Sequence, residues 1–544
     1  MLHRTIMALS LLLAMQLRAN SAQRGDANCN LRGYSLLEIH CKTKSELTLL
    51  QRIFTEHMQS HNHVSFIWRP VYPGTPAILM GRKNIMRNLA RVLRRYGIRA
   101  RIVVQDLRPP IDPWDTPHSE VFNRNMHIAR YNSSVYHDID EIYALLDAVT
   151  KPNQSICSSN IQVIEIGKSV EKRPLFAVKV DYFVSNNSEP DESRRSILLE
   201  CGIHAREWIS PAVCTTLILQ LLAVSCFRRD QLSDEQKKVK PVLEHYDWWF
   251  MPMANPDGYQ YTWTHDRFWR KNRAPPPATC SLTDENCGDV RESKLAKDQF
   301  DSGEHRRHWP EDWFSGPPLV CHCCSGVDLN RNFDIGWDNE DHHCSPSYGG
   351  SHPFSEPESR AIRDFVLEHQ AQILMYISVH SYSQLWTYPF ASDKLGPLPD
   401  EQRKWLHNLL EQVQEAIQNN SGAEYTFGVT VEELYPASGT SQDWIINGTS
   451  VPIAVAVELP PEALSAKAHA DAGYGSFCLA PNRIGNTTSD MLAAMRTISE
   501  GLWNLSSCCA YNMSQYKYKT GVIWMPSKWY ITILVMIIVI LFNM

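Results

Sequence analysis

Apolar runs alternate along most of the chain with segments whose apolar positions recur at helical spacing. The segments IQVIEIG (161–167), PLFAVKVDYF (174–183), SILLECGI (196–203), DWWFMPMANP (247–256), ILMYISVH (373–380) and VPIAVAVEL (451–459) read as buried strands. PAVCTTLILQLLAV, PESRAIRDFVLEH, QRKWLHNLLEQVQEAI and TSDMLAAMRTISEGLW read as helices. Such alternation predicts an α/β domain over residues 131–505, with a mostly parallel or mixed sheet. Sites in such sheets gather at the carboxyl ends of the strands.

The N-terminal part has a different rhythm. YSLLEIHC, VSFIWRPV, PAILMG and IRARIVVQDL read as strands, and KSELTLLQRIFTEHM and RKNIMRNLARVLRRYG as helices. The order βαββαβ predicts an α+β ferredoxin-like unit within residues 23–112. Nothing in it points to catalysis, so it reads as a binding or inhibitory module. A Pro- and charge-rich connector, 113–130, follows. Its Arg124 and Arg130 are candidate cleavage points for a trypsin-like protease. Residues 276–323 interrupt the α/β pattern with a polar, Pro-rich stretch carrying four cysteines, which reads as an inserted surface loop stapled by disulfides. Metal binding is the alternative for those cysteines, although their spacing fits no zinc motif well.

Composition narrows the setting. The 544 residues are 43% hydrophobic and 21% charged, which excludes wholesale disorder. A net charge of −6 gives no reason to expect nucleic acid as partner. Fifteen cysteines fit an oxidising compartment, and the odd number leaves at least one thiol unpaired within the chain. Residues 1–22 have the basic start, apolar centre and small-residue end of a secretory signal peptide; a buried helix is the alternative. Eight Asn-x-Ser/Thr sequons add support, each weak alone. Residues 506–544 form a polar spacer and an apolar tail without a following basic residue. That pattern suits a GPI-attachment signal, with a short membrane-spanning tail as the alternative. The expected location is the secretory pathway, then the outer face of the plasma membrane or the extracellular medium.

The chemistry enters where strands end. SILLECGI runs directly into His204, Arg206 and Glu207. His-x-x-Glu sets an imidazole and a carboxylate one turn apart. Alone it is weak, since most such pairs are surface polarity. A second apolar strand also ends in a histidine, His380, which alone would read as a core residue. Catalytic zinc takes three protein ligands and leaves a position for water, and these three residue types fit that need.

GIHAREWISPA, FWRKNR, GVDLNRNFD, SVHSYSQLWTYP, LYPASGTSQDW and AVELP resemble, in order, the motifs of the zinc metallocarboxypeptidases of the carboxypeptidase A/B family. The resemblance implies a mixed eight-stranded sheet flanked by helices, preceded by an inhibitory pro-domain. It implies one zinc ion on His204, Glu207 and His380. Asp328 would accept a hydrogen bond from the outer nitrogen of His204. Glu458 would take a proton from the attacking water and return it to the leaving amine. Arg270 would stabilise the oxyanion. Arg331, with Asn330 and Tyr435, would hold the substrate's terminal carboxylate, and Arg206 would contact substrate further along the cleft. Cys324 and Cys344 match a family disulfide. The implied partners are peptide and protein C-termini, the chain's own pro-domain and an activating protease.

The pattern departs from the family at the pocket for the C-terminal side chain. Gln442 stands where A-type enzymes carry an apolar residue and B-type enzymes an Asp. Thr387 and Thr430 make the surroundings more polar, and Leu434 and Ala437 keep part of them apolar. Neutral C-terminal residues are therefore expected to be preferred. A catalytically silent protein of the same fold, binding C-termini without cutting them, is the alternative reading. A structural or adhesive surface protein leaves the ordered motifs unexplained.

Overall fold

A computed structural model describes residues 34–53, 64–68, 76–105, 131–151, 160–181, 194–225, 227, 229–276, 325–338, 343, 345–460 and 477–508. The expected signal peptide, connector, C-terminal tail, Cys324, Cys344 and nearly all of the insertion lie outside these residues.

The first unit contains strands β1 (Tyr34–His40), β2 (Val64–Trp68), β3 (Pro76–Arg82) and β4 (Arg99–Val104), with helices Lys44–Ile53 and Lys83–Arg95. The strands form one antiparallel sheet in the order β2-β3-β1-β4. Its core gathers Leu37, Ile39 and Leu79 from the sheet with Met86, Leu89 and Leu93 from the second helix, the positions its helical period singles out. On a second cluster, Leu36 and Met80 meet Tyr34, Val103 and Phe268, and the rings of Tyr34 and Phe268 lie 6.4 Å apart.

The larger sheet has eight strands: β5 (Ile161–Lys168), β6 (Pro174–Val180), β7 (Ser196–Cys201), β8 (Asp247–Met251), β9 (Ile373–Ser381), β10 (Leu385–Tyr388), β11 (Thr426–Val429) and β12 (Ile453–Leu459). Their order is β11-β10-β12-β9-β7-β8-β6-β5. It is the mixed, helix-flanked α/β sheet that the sequence predicts. The inner strands β12, β9, β7 and β8 run parallel, whereas β6 pairs antiparallel with β8 and β10 with β12. Every residue of β7, β8 and β9 is buried, which explains their continuous apolar runs. The pattern gave no sign of β10 and β11, which are only four residues each.

Cys41, Cys201 and Cys214 are free and buried, and Cys478 is disulfide-bonded. The sequon residues Asn132, Asn419, Asn486 and Asn504 are exposed. No helix among the described residues is long and apolar enough to cross a membrane.

Directly behind the His-x-x-Glu turn stands Trp208, fully buried. It stacks on Trp263 at 4.2 Å, lies 5.7 Å from Tyr136, donates its indole N–H to Thr262 at 2.7 Å and carries the Arg267 guanidinium on its ring at 3.8 Å. Removing this ring leaves a cavity and takes away the surface on which the Arg267 guanidinium rests. Trp208→Ala is expected to destabilise the protein by about 3–5 kcal/mol, read as a lowered urea midpoint. A change below about 1 kcal/mol would show that this cluster does not anchor the turn.

Candidate active site

Three parallel strands bring the predicted residues together. In the ladder, Glu458 of β12 stands beside His380 of β9, and Val379 stands beside Cys201 of β7. The chain leaves β7 through Gly202, whose φ of 69° belongs to the left-handed region that glycine occupies at little cost. Ser210 then clamps the turn. Its hydroxyl accepts from the Gly202 N–H at 3.0 Å and donates to the Val379 carbonyl at 2.6 Å. The turn that carries His204 and Glu207 is thereby tied to the strand that carries His380.

His204, Glu207 and His380 are buried and aim one ligand atom each at a common point, all within 4.8 Å of one another. His204 Nδ1 lies 2.8 Å from Glu207 Oε1 and 3.1 Å from His380 Nδ1, which lies 3.1 Å from Glu207 Oε2. Two imidazole nitrogens and a carboxylate converge here with few protons to share among them. A tetrahedral zinc site with bonds of about 2.0–2.1 Å sets its ligand atoms roughly 3.3 Å apart. The donor set, burial and spacing fit zinc.

The outer nitrogens are held as well. His204 Nε2 is 3.3 Å from Asp328 Oδ1, and Arg270 donates through Nε (2.9 Å) and Nη2 (2.8 Å) to Asp328 Oδ2. Asp328 is fully buried. Burial alone would raise its pKa, but Arg270 and His204 hold it well below the usual carboxylate range. Burial, with Arg270 nearby, lowers the pKa of His204 and so favours the neutral, ligating imidazole. Arg270 Nη1 lies 3.4 Å from His204 Nδ1, so the third guanidinium nitrogen faces the ligand cluster.

His380 has its own support, which the sequence reading missed. Its Nε2 is 2.8 Å from Ser378 Oγ, and that hydroxyl donates to Glu200 Oε2 at 2.8 Å. A serine hydroxyl has one proton, and Glu200 takes it, so toward His380 it accepts. With Nε2 turned toward that hydroxyl, Nδ1 faces the cluster. Tyr376 also reaches Glu200, at 3.2 Å. A signal was present in the sequence: Glu200 is a carboxylate inside an otherwise apolar strand.

Glu458 is half-buried beside the cluster. Burial pushes its carboxyl up to about 7, with Glu207 adding to the rise and His380 opposing it. Arg206 is half-buried, its guanidinium 4.2 Å over the Phe477 ring. Burial and Arg270 lower it to about 10, which leaves it charged at neutral pH.

A second group adjoins the first. Asn330 Nδ2 lies 3.3 Å from His380 Nε2, and Asn330 Oδ1 accepts from the Ser441 N–H at 2.8 Å. Arg331 donates to the Asn330 carbonyl at 2.7 Å, and its Nη2 is 3.4 Å from the Tyr435 hydroxyl. Gly439, at φ 62°, packs directly on the Arg331 carbonyl, where a Cβ would clash with backbone. The next turn carries Gln442, which is buried. Its Nε2 donates to Thr430 Oγ1 at 2.7 Å, and Thr430 donates to the Tyr388 carbonyl at 3.0 Å. Because Thr430 has spent its only proton, it accepts from Gln442. The Gln442 amide orientation is therefore set, and its buried Oε1 has no hydrogen-bond partner among the described residues. Thr387 is also buried; Leu434 and Ala437 are half-buried.

The zinc carboxypeptidase family matches residues 142–494, well over half of the chain. Mouse carboxypeptidase A6 is 27% identical over 86% of this chain and 90% of its own length. Zinc carboxypeptidase A 1 of Anopheles gambiae is 31% identical over 67% of each chain. Among solved structures, thrombin activatable fibrinolysis inhibitor aligns with a TM-score of 0.62 at 26% identity, covering 86% of this chain and 98% of its own. Carboxypeptidase A from Helicoverpa armigera shares the fold, with a TM-score of 0.63 at 22% identity over 88% and 99% of the two chains. The family match, the eight-stranded sheet and the His-Glu-His cluster lead to one conclusion: this chain belongs to the zinc carboxypeptidase family and is a metallocarboxypeptidase, a hydrolase of peptide bonds.

Proposed function

We propose that the protein is a secreted or cell-surface exopeptidase, made as a zymogen, that removes neutral residues from peptide C-termini. The observation that carries the reading is the adjacency of two devices. One is a three-ligand cluster with a carboxylate beside it. The other is a guanidinium, Arg331, within the same buried patch.

His204, Glu207 and His380 would hold zinc, with Asp328 and the Ser378–Glu200 pair orienting the two imidazoles. Zinc, when bound, polarises the scissile carbonyl and acidifies a water. Glu458 takes the proton of the attacking water and delivers it to the leaving amine. A carboxyl poised near neutrality suits both halves of that task. Arg270 turns Nη1 toward the ligand cluster while Asp328 holds its other nitrogens, so it is ready to donate to an oxyanion there. Arg331 and Tyr435 bind the terminal carboxylate, with Asn330 beside them, and Arg206 meets the chain further along the cleft.

Gln442 would face the terminal side chain. A charged side chain loses hydration on entry, and no opposite charge waits for it in this reading. The unpartnered Gln442 Oε1 favours side chains that bring a donor. One such bond is worth about 0.5–1.5 kcal/mol, enough to rank neutral residues but not to offset a buried charge.

Inhibition by the N-terminal unit is supported by the Tyr34–Phe268 contact, since Phe268 lies two residues before Arg270. A relative named for activation by thrombin points the same way. Cleavage at Arg130 would free the enzyme. Exposed sequons favour passage through the secretory pathway, and the apolar tail favours a GPI anchor.

Four outcomes test this reading. His380→Ala should lose bound zinc as well as activity; undiminished zinc on elemental analysis would remove His380 from the ligand set. Glu458→Gln should keep zinc yet lose at least about 10²–10⁴-fold in kcat on a blocked dipeptide, because an amide accepts no proton. Near-normal kcat would exclude Glu458 as the base. On a substrate panel, kcat/KM should be higher for Leu, Gln and Phe than for Lys, Arg, Asp and Glu at the C-terminus. Gln442→Asp should raise the values for Lys and Arg. Faster wild-type cleavage of Glu or Arg would refute the pocket assignment.

A further inference from the structure

Charge is distributed very unevenly along this chain. Residues 57–105 contain nine Lys or Arg and no Asp or Glu, in a protein whose net charge is −6. The remainder therefore carries a net −15. The structure places five of these nine cations on a single helix. On the helix Lys83–Arg95, residues Lys83, Arg87, Arg91 and Arg95 follow each other at intervals of four and form one ridge, about 18 Å long at 1.5 Å per residue. Arg87, Arg91, Arg94 and Arg95 are exposed; Arg99 of β4 is exposed too, but it alternates with the core residue Ala100 and so faces away from this helix. Arg101, further along β4, is exposed and pairs with Glu38.

The ridge opposes helix stability on two counts. Like charges four residues apart repel. Lys83 also sits in the first turn, where the helix dipole disfavours a cation and no acidic residue offsets it. The opposite face of the helix is fully committed, with Met86, Leu89, Ala90, Val92 and Leu93 buried in the core. The packing of this helix is with β1, β3 and β4 of its own unit.

We propose that this ridge docks the intact protein onto a linear sulfated polysaccharide. The cations are nearly all arginines, whose planar forks bind tetrahedral oxyanions in bidentate fashion. A linear polyanion matches a straight ridge, and it makes repulsion within the ridge favourable to binding. A membrane surface fits less well. Helices that bind bilayers insert an apolar face, and this helix has none to spare. The large exposed hydrophobic residues among those described, Ile164 and Trp503, lie outside this unit. If the zymogen reading holds, cleavage in the connector separates the basic unit from an acidic enzyme, so activation also releases the enzyme from the matrix.

The test uses the intact chain on immobilised heparin with a sodium chloride gradient at neutral pH. The wild type should be retained. The triple variant Arg87→Glu/Arg91→Glu/Arg95→Glu should bind about tenfold or more weakly, and a triple Arg→Gln variant at the same positions should fall between them. A control with the same charge change elsewhere, Lys168→Glu/Lys172→Glu/Lys404→Glu, should elute close to the wild type. Circular dichroism checks that each variant is folded. Flow-through of the wild type, equal losses in ridge and control variants, or equally tight binding to equimolar phosphatidylcholine–phosphatidylserine vesicles would overturn the proposal. Retention of the cleaved enzyme would overturn the release step. Heparin retention is read without an activity assay, so failure here is distinct from failure of the catalytic reading.

Discussion

The parallel alignment of β12, β9 and β7 is the constraint on which the site depends. Three strands running the same way must end on the same side of the sheet, and their registers place Glu458 beside His380 and Val379 beside Cys201. The strands end where a carboxylate, an imidazole and the His-x-x-Glu turn are needed. Ser210 converts that neighbourhood into fixed geometry by bonding the turn to β9. A sheet without side chains at its ends would offer only unpaired carbonyls there. This one offers a buried ligand cluster.

Buried polar groups of this kind are costly unless each has partners. Asp328 bears the largest share, because one carboxylate serves both His204 and Arg270. It couples the orientation of an imidazole to that of a guanidinium. On the other side, Glu200 and Ser378 do the same for His380. Each imidazole is thus flanked by a carboxylate on its outer nitrogen, one directly and one through a hydroxyl. The inner nitrogens are left to face each other, an arrangement that a cation stabilises.

The two units of the chain divide the physical work. The α/β unit buries ionisable groups and meets each with an opposite charge, as at Asp328 and Arg270, or with neutral donors, as at Glu200. The N-terminal unit buries an apolar core against its sheet and turns its cations outward. The ring contact between Tyr34 and Phe268 joins them close to Arg270.

Much of this was legible in the sequence. Continuous apolar runs identify β7, β8 and β9 because strands covered on both faces have no polar side to display. His204, Arg206 and Glu207, which follow such a run, stand out as ionisable groups where burial would otherwise be costly, whereas His380 alone reads as a core residue and Glu458 as a strand-end charge. Their roles in a site come from the ordered motifs, through resemblance. Other features depend on contacts between distant segments. The short strand β10 exists because β12 offers an edge and β11 because β10 offers the next, not because four residues carry a period. Glu200 reads as an oddity in an apolar strand until Ser378 is seen across the ladder. The direction of the Gln442 amide follows from a single proton on Thr430, committed to a carbonyl in β10. Composition and period act locally, so the sequence by itself determined the elements and the residue types at their ends. Which donors face which acceptors was decided only by the tertiary structure, because a proton can be shared only between atoms that the fold has already brought together.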